Sequence, residues 1–113
     1  MAIDRLGSIQ IEALRPDELV EWYRQVLGIS LSMEHEGGFY GAFDFGLHFA
    51  IVPTQSPFQF AKNMVLTFHV SDFAADIERI KASGIEPSDV TDTGEGRFAF
   101  FTDPEGNRVG IWG

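Results

Sequence analysis

Between Ser8 and Leu14 the chain reads S-I-Q-I-E-A-L, with Ile9, Ile11 and Ala13 on one side of an extended strand and Ser8, Gln10 and Glu12 on the other. This alternation predicts a half-buried strand. At Arg15-Pro16-Asp17-Glu18 the period changes: a proline at the first helical position has no amide to leave unpaired, and two acids suit the positive end of a helix dipole. Leu19, Tyr23, Val26 and Leu27 continue at helical spacing, and Gly28 ends the helix. Strands are then expected at Ile29 to Met33, Phe39 to Phe45 and Leu47 to Val52, punctuated by Gly37-Gly38 and Gly46. The first half reads β-α-β-β-β.

After a turn-rich stretch from Pro53 to Asn63, the order repeats. Met64 to Val70 alternates, with Leu66, Phe68 and Val70 on one face and Val65, Thr67 and His69 on the other. Ser71 or Asp72 caps a helix with the apolar stripe Phe73, Ile77 and Ile80, and Gly84 stops it. A weak strand signal follows near Ser88 to Thr91, then stronger ones at Arg97 to Phe101 and Arg108 to Trp112. An offset of 57 residues carries Ser8 onto Val65 and brings the stop glycines Gly28 and Gly84 within one residue of each other. Two copies of one supersecondary unit explain the pattern. The expected fold is α+β, one domain over residues 1–113, with module one at about 5–53 and module two at about 63–113. Each helix should cover the side bearing Ile9, Ile11, Leu66, Phe68 and Val70. The opposite faces, with Gln10, Glu12, His48, Thr67, His69 and Arg108, are then expected to curve around a cleft.

Composition narrows the chemistry. A formal net charge of −9 and a pI near 4.5 argue against nucleic-acid or anionic-membrane partners, and Lys62, Arg79 and Lys81 form no basic run. The opening residues lack a basic flank followed by a long apolar stretch, so no signal peptide or membrane span is expected and the default location is cytoplasmic. With no cysteine, disulfides, thiolate nucleophiles and thiolate metal sites are excluded. Eleven phenylalanines exceed what the core of a helix-backed sheet of this size needs, which suggests an aromatic-lined cavity or a subunit interface.

The repeated β-α-β-β-β order, the helix end W-Y-R-Q-V-L-G at residues 22–28 and the turn F-T-D-P-E-G-N at residues 101–107 resemble the vicinal oxygen chelate superfamily, which includes glyoxalase I, the bleomycin-resistance proteins and the extradiol dioxygenases. The resemblance spans nearly the whole chain. It implies a curved mixed sheet around a cleft, and pairing of two copies, since members of this length commonly shape each cleft from two chains. It also implies a divalent metal on the cleft floor, with ligand positions that fall here on Ser8, Ala50, Val65 and Gly110. These offer one oxygen and no imidazole or carboxylate, so no metal and no other cofactor is expected.

The expected site is therefore a small-molecule cleft lined by Gln10, Glu12, His48, Thr67, His69, Arg108 and Trp112. Arg108 would pair with an anionic or carbonyl group, Gln10 and Thr67 would orient the ligand, and Trp112 would stack on it. Two alternatives stay open. A shifted metal site could use Glu12, His48 and His69 for a lyase, isomerase or dioxygenase reaction, or one histidine could act as a general base. A drug-sequestering protein would use the acidic surface for a cationic guest, against which Arg108 argues. His35, between Glu34 and Glu36, reads as a solvated hairpin tip. Some of Phe39, Tyr40, Phe43 and Phe45 must face the cleft, while Trp112 and Phe58-Gln59-Phe60 could instead cover a dimer interface.

Overall fold

The computed structural model describes residues 5–43, 46–54, 65–94 and 96–113. The first unit consists of β1 (Ser8–Ala13), α1 (Pro16–Leu27), β2 (Met33–His35), β3 (Gly38–Ala42) and β4 (His48–Pro53). The second consists of β5 (Val65–His69), α2 (Phe73–Ala82), β6 (Ser88–Thr93), β7 (Gly96–Thr102) and β8 (Arg108–Trp112). The duplicated order holds. Each unit makes its own four-stranded sheet, β1-β4-β3-β2 and β5-β8-β7-β6, with the first and last strands parallel and the other pairs antiparallel. The helix between β1 and β2 supplies the crossover that parallel pairing with β4 requires.

Local chemistry accounts for the helix ends. Pro16 opens α1 behind Arg15, whose side chain makes no cap, and Gly28 closes it at φ 68°, a left-handed conformation in which its amide donates to the Arg24 carbonyl. Of the two candidate caps for α2, Asp72 is the one used: its carboxylate accepts from the Ala75 amide. The expected strand at Ile29 to Met33 is displaced. β2 begins only at Met33, because Leu31 is buried as part of the helix exit and its carbonyl accepts from the Arg24 guanidinium at 2.5 Å. His35 consequently ends a strand instead of forming the tip, which is Glu36-Gly37. β3 stops at Ala42, and the expected continuation to Phe45 runs beyond the described residues, as does Phe58-Gln59-Phe60.

Register sorts the residues of β1, β3, β4, β5, β7 and β8 onto two faces. Ile9, Ile11, Phe49 and Ile51 of the first sheet point toward the helices, as do Phe68, Ala99, Phe101, Val109 and Ile111 of the second, and they share one core cluster with Leu19, Tyr23 and Ile80. The two inner faces meet directly. The Phe68 ring lies 6.1 Å from the centroids of both Phe43 and Phe49, and Trp22 of α1 lies 5.9 Å from Phe101 of β7. The expectation that the polar faces curve together is thus corrected for a single chain: the helix-covered faces turn toward each other, so the polar faces point outward. The two sheets remain separate.

A clasp fixes the modules together. Asp103, 4% exposed, accepts from the Tyr23 hydroxyl at 2.9 Å, from the amides of Glu105 and Asn107 at 2.9 Å each, and from the Asn107 side-chain amide at 2.8 Å. Glu105, in the same turn, accepts from the backbone amides of Leu14 at 2.7 Å and Arg15 at 2.9 Å, just before α1. The D-P-E-G-N turn therefore shapes itself with one carboxylate and grips the other module with the next. Burial, then the Asp103 charge, then the hydrogen bond hold the Tyr23 hydroxyl well above its ordinary pKa of 10.0. The linked stability is complete below pH 10.0 and falls above it, where the unfolded chain ionises Tyr23 and the folded chain does not. Tyr23→Phe is expected to flatten the alkaline limb of urea midpoint against pH in that range; an unchanged limb would refute the linkage.

Candidate functional site

On the outer face of the second sheet the register builds three cross-strand rows. His69, Trp112 and Phe98 form one, Thr67, Gly110 and Phe100 the next, and Val65, Arg108 and Thr102 the third. Trp112 and Phe98 stack nearly parallel, with centroids 6.0 Å apart and planes 11° apart, while His69 meets Trp112 edge-on at 4.8 Å. The Arg108 guanidinium carbon sits 4.8 Å over the Phe100 ring. The result is a half-exposed aromatic shelf with a cation at one end.

Two glycines let these rings lie flat. A side chain at Gly96, where φ is +147°, would place its first carbon 2.6 Å from the Trp112 indole nitrogen; at Gly110 it would lie 2.7 Å from the Phe100 ring and 3.2 Å from the Ala99 carbonyl. Gly110 is thus the seat of Phe100. Gly110→Ala is expected to cost about 1–3 kcal/mol by overpacking, and Phe100→Ala in the same chain should remove most of that cost. Urea unfolding of the single and double variants measures the coupling, and additive effects would contradict the ring's placement.

The first sheet's outer face is built differently. Its rows are Ser8 with His48 and Ala42, Gln10 with Ala50, Tyr40 and Met33, and Glu12 with Val52. Gln10, Glu12 and His48 are exposed, and the Tyr40 ring lies over Gly38, its hydroxyl 3.0 Å from where a side-chain carbon would be. Tyr40 faces outward, whereas Phe39 and Phe43 pack toward the core. Within one chain, then, Thr67, His69, Arg108 and Trp112 share a surface, and Gln10, Glu12 and His48 share another.

This arrangement tests whether the residues suit a metal. Ser8, Ala50, Val65 and Gly110 supply a single oxygen, and Gly110 is covered by Phe100. The alternative donors fare no better: His48 pairs with Ser8, and Glu12 pairs with Val52, two same-face steps or roughly 13 Å along the strands. A shared ion cannot span that separation, and His69 lies on the other sheet. Among the described residues no group of three His, Asp or Glu side chains is placed to hold one ion. Neither donor set fits a metal.

Phe98, Phe100 and the seat Gly96 were not singled out by sequence reasoning. Phe100 could have been found from the repeat, since it corresponds to Tyr40 when β4 is laid over β8. The stacking partner of Trp112 depends on the β7–β8 register, which the sequence pattern leaves free.

A duplicated β-α-β-β-β chain with this turn and these paired sheets belongs to the Glyoxalase/Bleomycin resistance protein/Dioxygenase superfamily, whose family model matches residues 5–111. Among solved structures it is similar to TnmS3, an antibiotic binding protein from Streptomyces sp. CB03234, with a TM-score of 0.81 and 22% identity over 99% of this chain and 97% of that one. It is also similar to the oxidase ChaP-H2, at 0.79 and 20% over 99% and 94%, and to a glyoxalase family protein from Bacillus anthracis, at 0.82 and 21% over 99% and 96%. No curated protein matches the sequence. At these identities the structures share the fold. Among the described residues no helix is long and apolar enough to cross a membrane.

Proposed function

We propose that this chain is a metal-free binding protein for a flat, partly aromatic small molecule bearing an anionic or carbonyl group. The observation that carries this reading is the shelf of Trp112, Phe98 and Phe100 with Arg108 at its edge. Trp112 stacks on the guest, Arg108 meets its charged end, and Thr67 and His69 border it. A second copy completes the site by bringing the first-sheet face, with Gln10, Glu12 and His48, opposite this shelf. Exposed apolar residues on both outer faces, Met33 at 67% and Val65 at 43%, support such covering. A similar fold in an antibiotic binding protein supports ligand capture as the task, and it favours antibiotic sequestration as a second reading. The lack of a fitting donor set among the described residues supports the metal-free assignment.

The test is a fluorescence titration with pyrene-1-carboxylate, a flat aromatic anion, combined with light scattering for the mass of the complex. Saturable binding to a dimer, with no change in melting temperature on adding Zn, Ni, Mn or Fe(II) to chelator-treated protein, supports the proposal. A metal-dependent rise that vanishes in His48→Ala, or the absence of saturable binding, overturns it. Stronger binding of a cationic polycyclic drug than of the pyrene anion would transfer the case to sequestration of cationic guests.

A further inference from the structure

A pocket of about 520 Å³ lies between the two modules, walled mainly from the helix side of the sheets. This is within the range of small-molecule sites. Phe43 and Phe49 of the first module and Leu66, Phe68 and Ile111 of the second contribute its apolar wall. The chain leaving α1 at residues 27–30 and the α2 residues Asp76 and Arg79 add to the lining, and Thr67 and His69 of β5 border it as well.

We propose that this pocket is a second binding site, for a small uncharged aromatic molecule carrying a hydroxyl group. The three phenyl rings are mutually inclined, by 71° between Phe43 and Phe49, 41° between Phe43 and Phe68 and 69° between Phe49 and Phe68. They offer both faces and edges to a flat guest, which would supply the contacts that an unfilled space withholds from its lining. One polar rim of the pocket is an ion pair: the Arg79 guanidinium and the Asp76 carboxylate stand 2.5 Å apart, with the Arg79 side chain 46% and the Asp76 side chain 20% exposed. Arg79 is held at this rim by the bare backbone of Gly28, where a side-chain carbon would lie 3.3 Å from its Nη1.

That pair selects against charge. A carboxylate drawn to Arg79 would meet Asp76, and an ammonium drawn to Asp76 would meet Arg79. A hydroxyl suits both, accepting from the guanidinium and donating to the carboxylate. The selectivity is opposite to that of the outer shelf, where Arg108 favours an anion, so the two sites separate by ligand charge although Thr67 and His69 of β5 border both.

The experiment is nuclear magnetic resonance titration of the whole protein with 2-naphthol, and with 2-naphthoate as the charged counterpart. Intermolecular Overhauser effects from naphthol ring protons to the methyls of Leu66 and Ile111 are expected, with 2-naphthoate binding at least about tenfold more weakly there. Arg79→Met should weaken naphthol about fivefold to tenfold by removing its donor. Leu66→Trp should abolish binding by filling the space, and Trp112→Ala should change it by less than about twofold. Should Leu66→Trp fail to fold, the pattern of Overhauser effects in the unsubstituted protein decides. Effects to Trp112 and Phe98 alone, equal affinity for the naphthoate, or none to Leu66 and Ile111 at saturation would overturn the inference. Those outcomes leave the outer-shelf reading standing, and failure of pyrene-1-carboxylate to bind leaves this one standing.

Discussion

Asp103→Ala is expected to destabilise the protein by about 3–5 kcal/mol, a drop of more than about 10 °C in Tm for a chain of this size. The carboxylate accepts four hydrogen bonds in a site that is 4% exposed, and three of those donors belong to its own turn. Alanine leaves all four without their partner, and the fourth is the buried Tyr23 hydroxyl from the opposite module. Asp103→Asn keeps the shape while weakening the acceptor, so about half the loss is expected. Glu105→Gln should cost only about 1 kcal/mol, because the amides it holds at Leu14 and Arg15 are exposed to water. Urea unfolding of the three variants provides the comparison. A loss below about 1 kcal/mol for Asp103→Ala would show that the modules do not depend on the turn.

The second large effect concerns the shelf. Trp112→Ala should weaken pyrene-1-carboxylate about fiftyfold while leaving the urea midpoint nearly unchanged, since the indole is 37% exposed and stands on the outer face. It removes the stacking surface shared with Phe98 and frees the edge that His69 meets. Arg108→Gln should weaken the same anion about tenfold, with the difference shrinking at high salt. Equal affinity in the unsubstituted and Trp112→Ala proteins, read by fluorescence, would remove the shelf as the binding surface.

Much of the fold was legible because its signals are local. The α1 stripe, Pro16 and Gly28 mark one helix, and the stripe Phe73, Ile77 and Ile80 marks the other. β8 appears with the predicted ends, Arg108 and Trp112, because the turn before it carries its own instructions. β2 was misplaced because Ile29 and Leu31 alternate as a strand would, yet they are apolar for a different reason: they pack the exit of α1 against the core. Face assignments followed from period two, which correctly grouped Arg108, Gly110 and Trp112. The direction in which each face points did not follow. That depends on Phe68 meeting Phe43 and Phe49 across the modules, a choice of docking that no strand pattern records. The cross-module partners of Asp103 and Glu105 were hidden for the same reason, being 80 to 91 residues distant in sequence.

The same sequence distance bears on how the protein is made. Synthesis delivers the first module early, but the groups that tie its strand-to-helix corner and its buried tyrosine follow 80 to 91 residues later. A nascent first half therefore emerges with Leu14 and Arg15 unsecured and an inner face of phenylalanine and isoleucine uncovered. Locking must wait for the 103–107 turn to leave the ribosome, which makes the second module a checkpoint for the first.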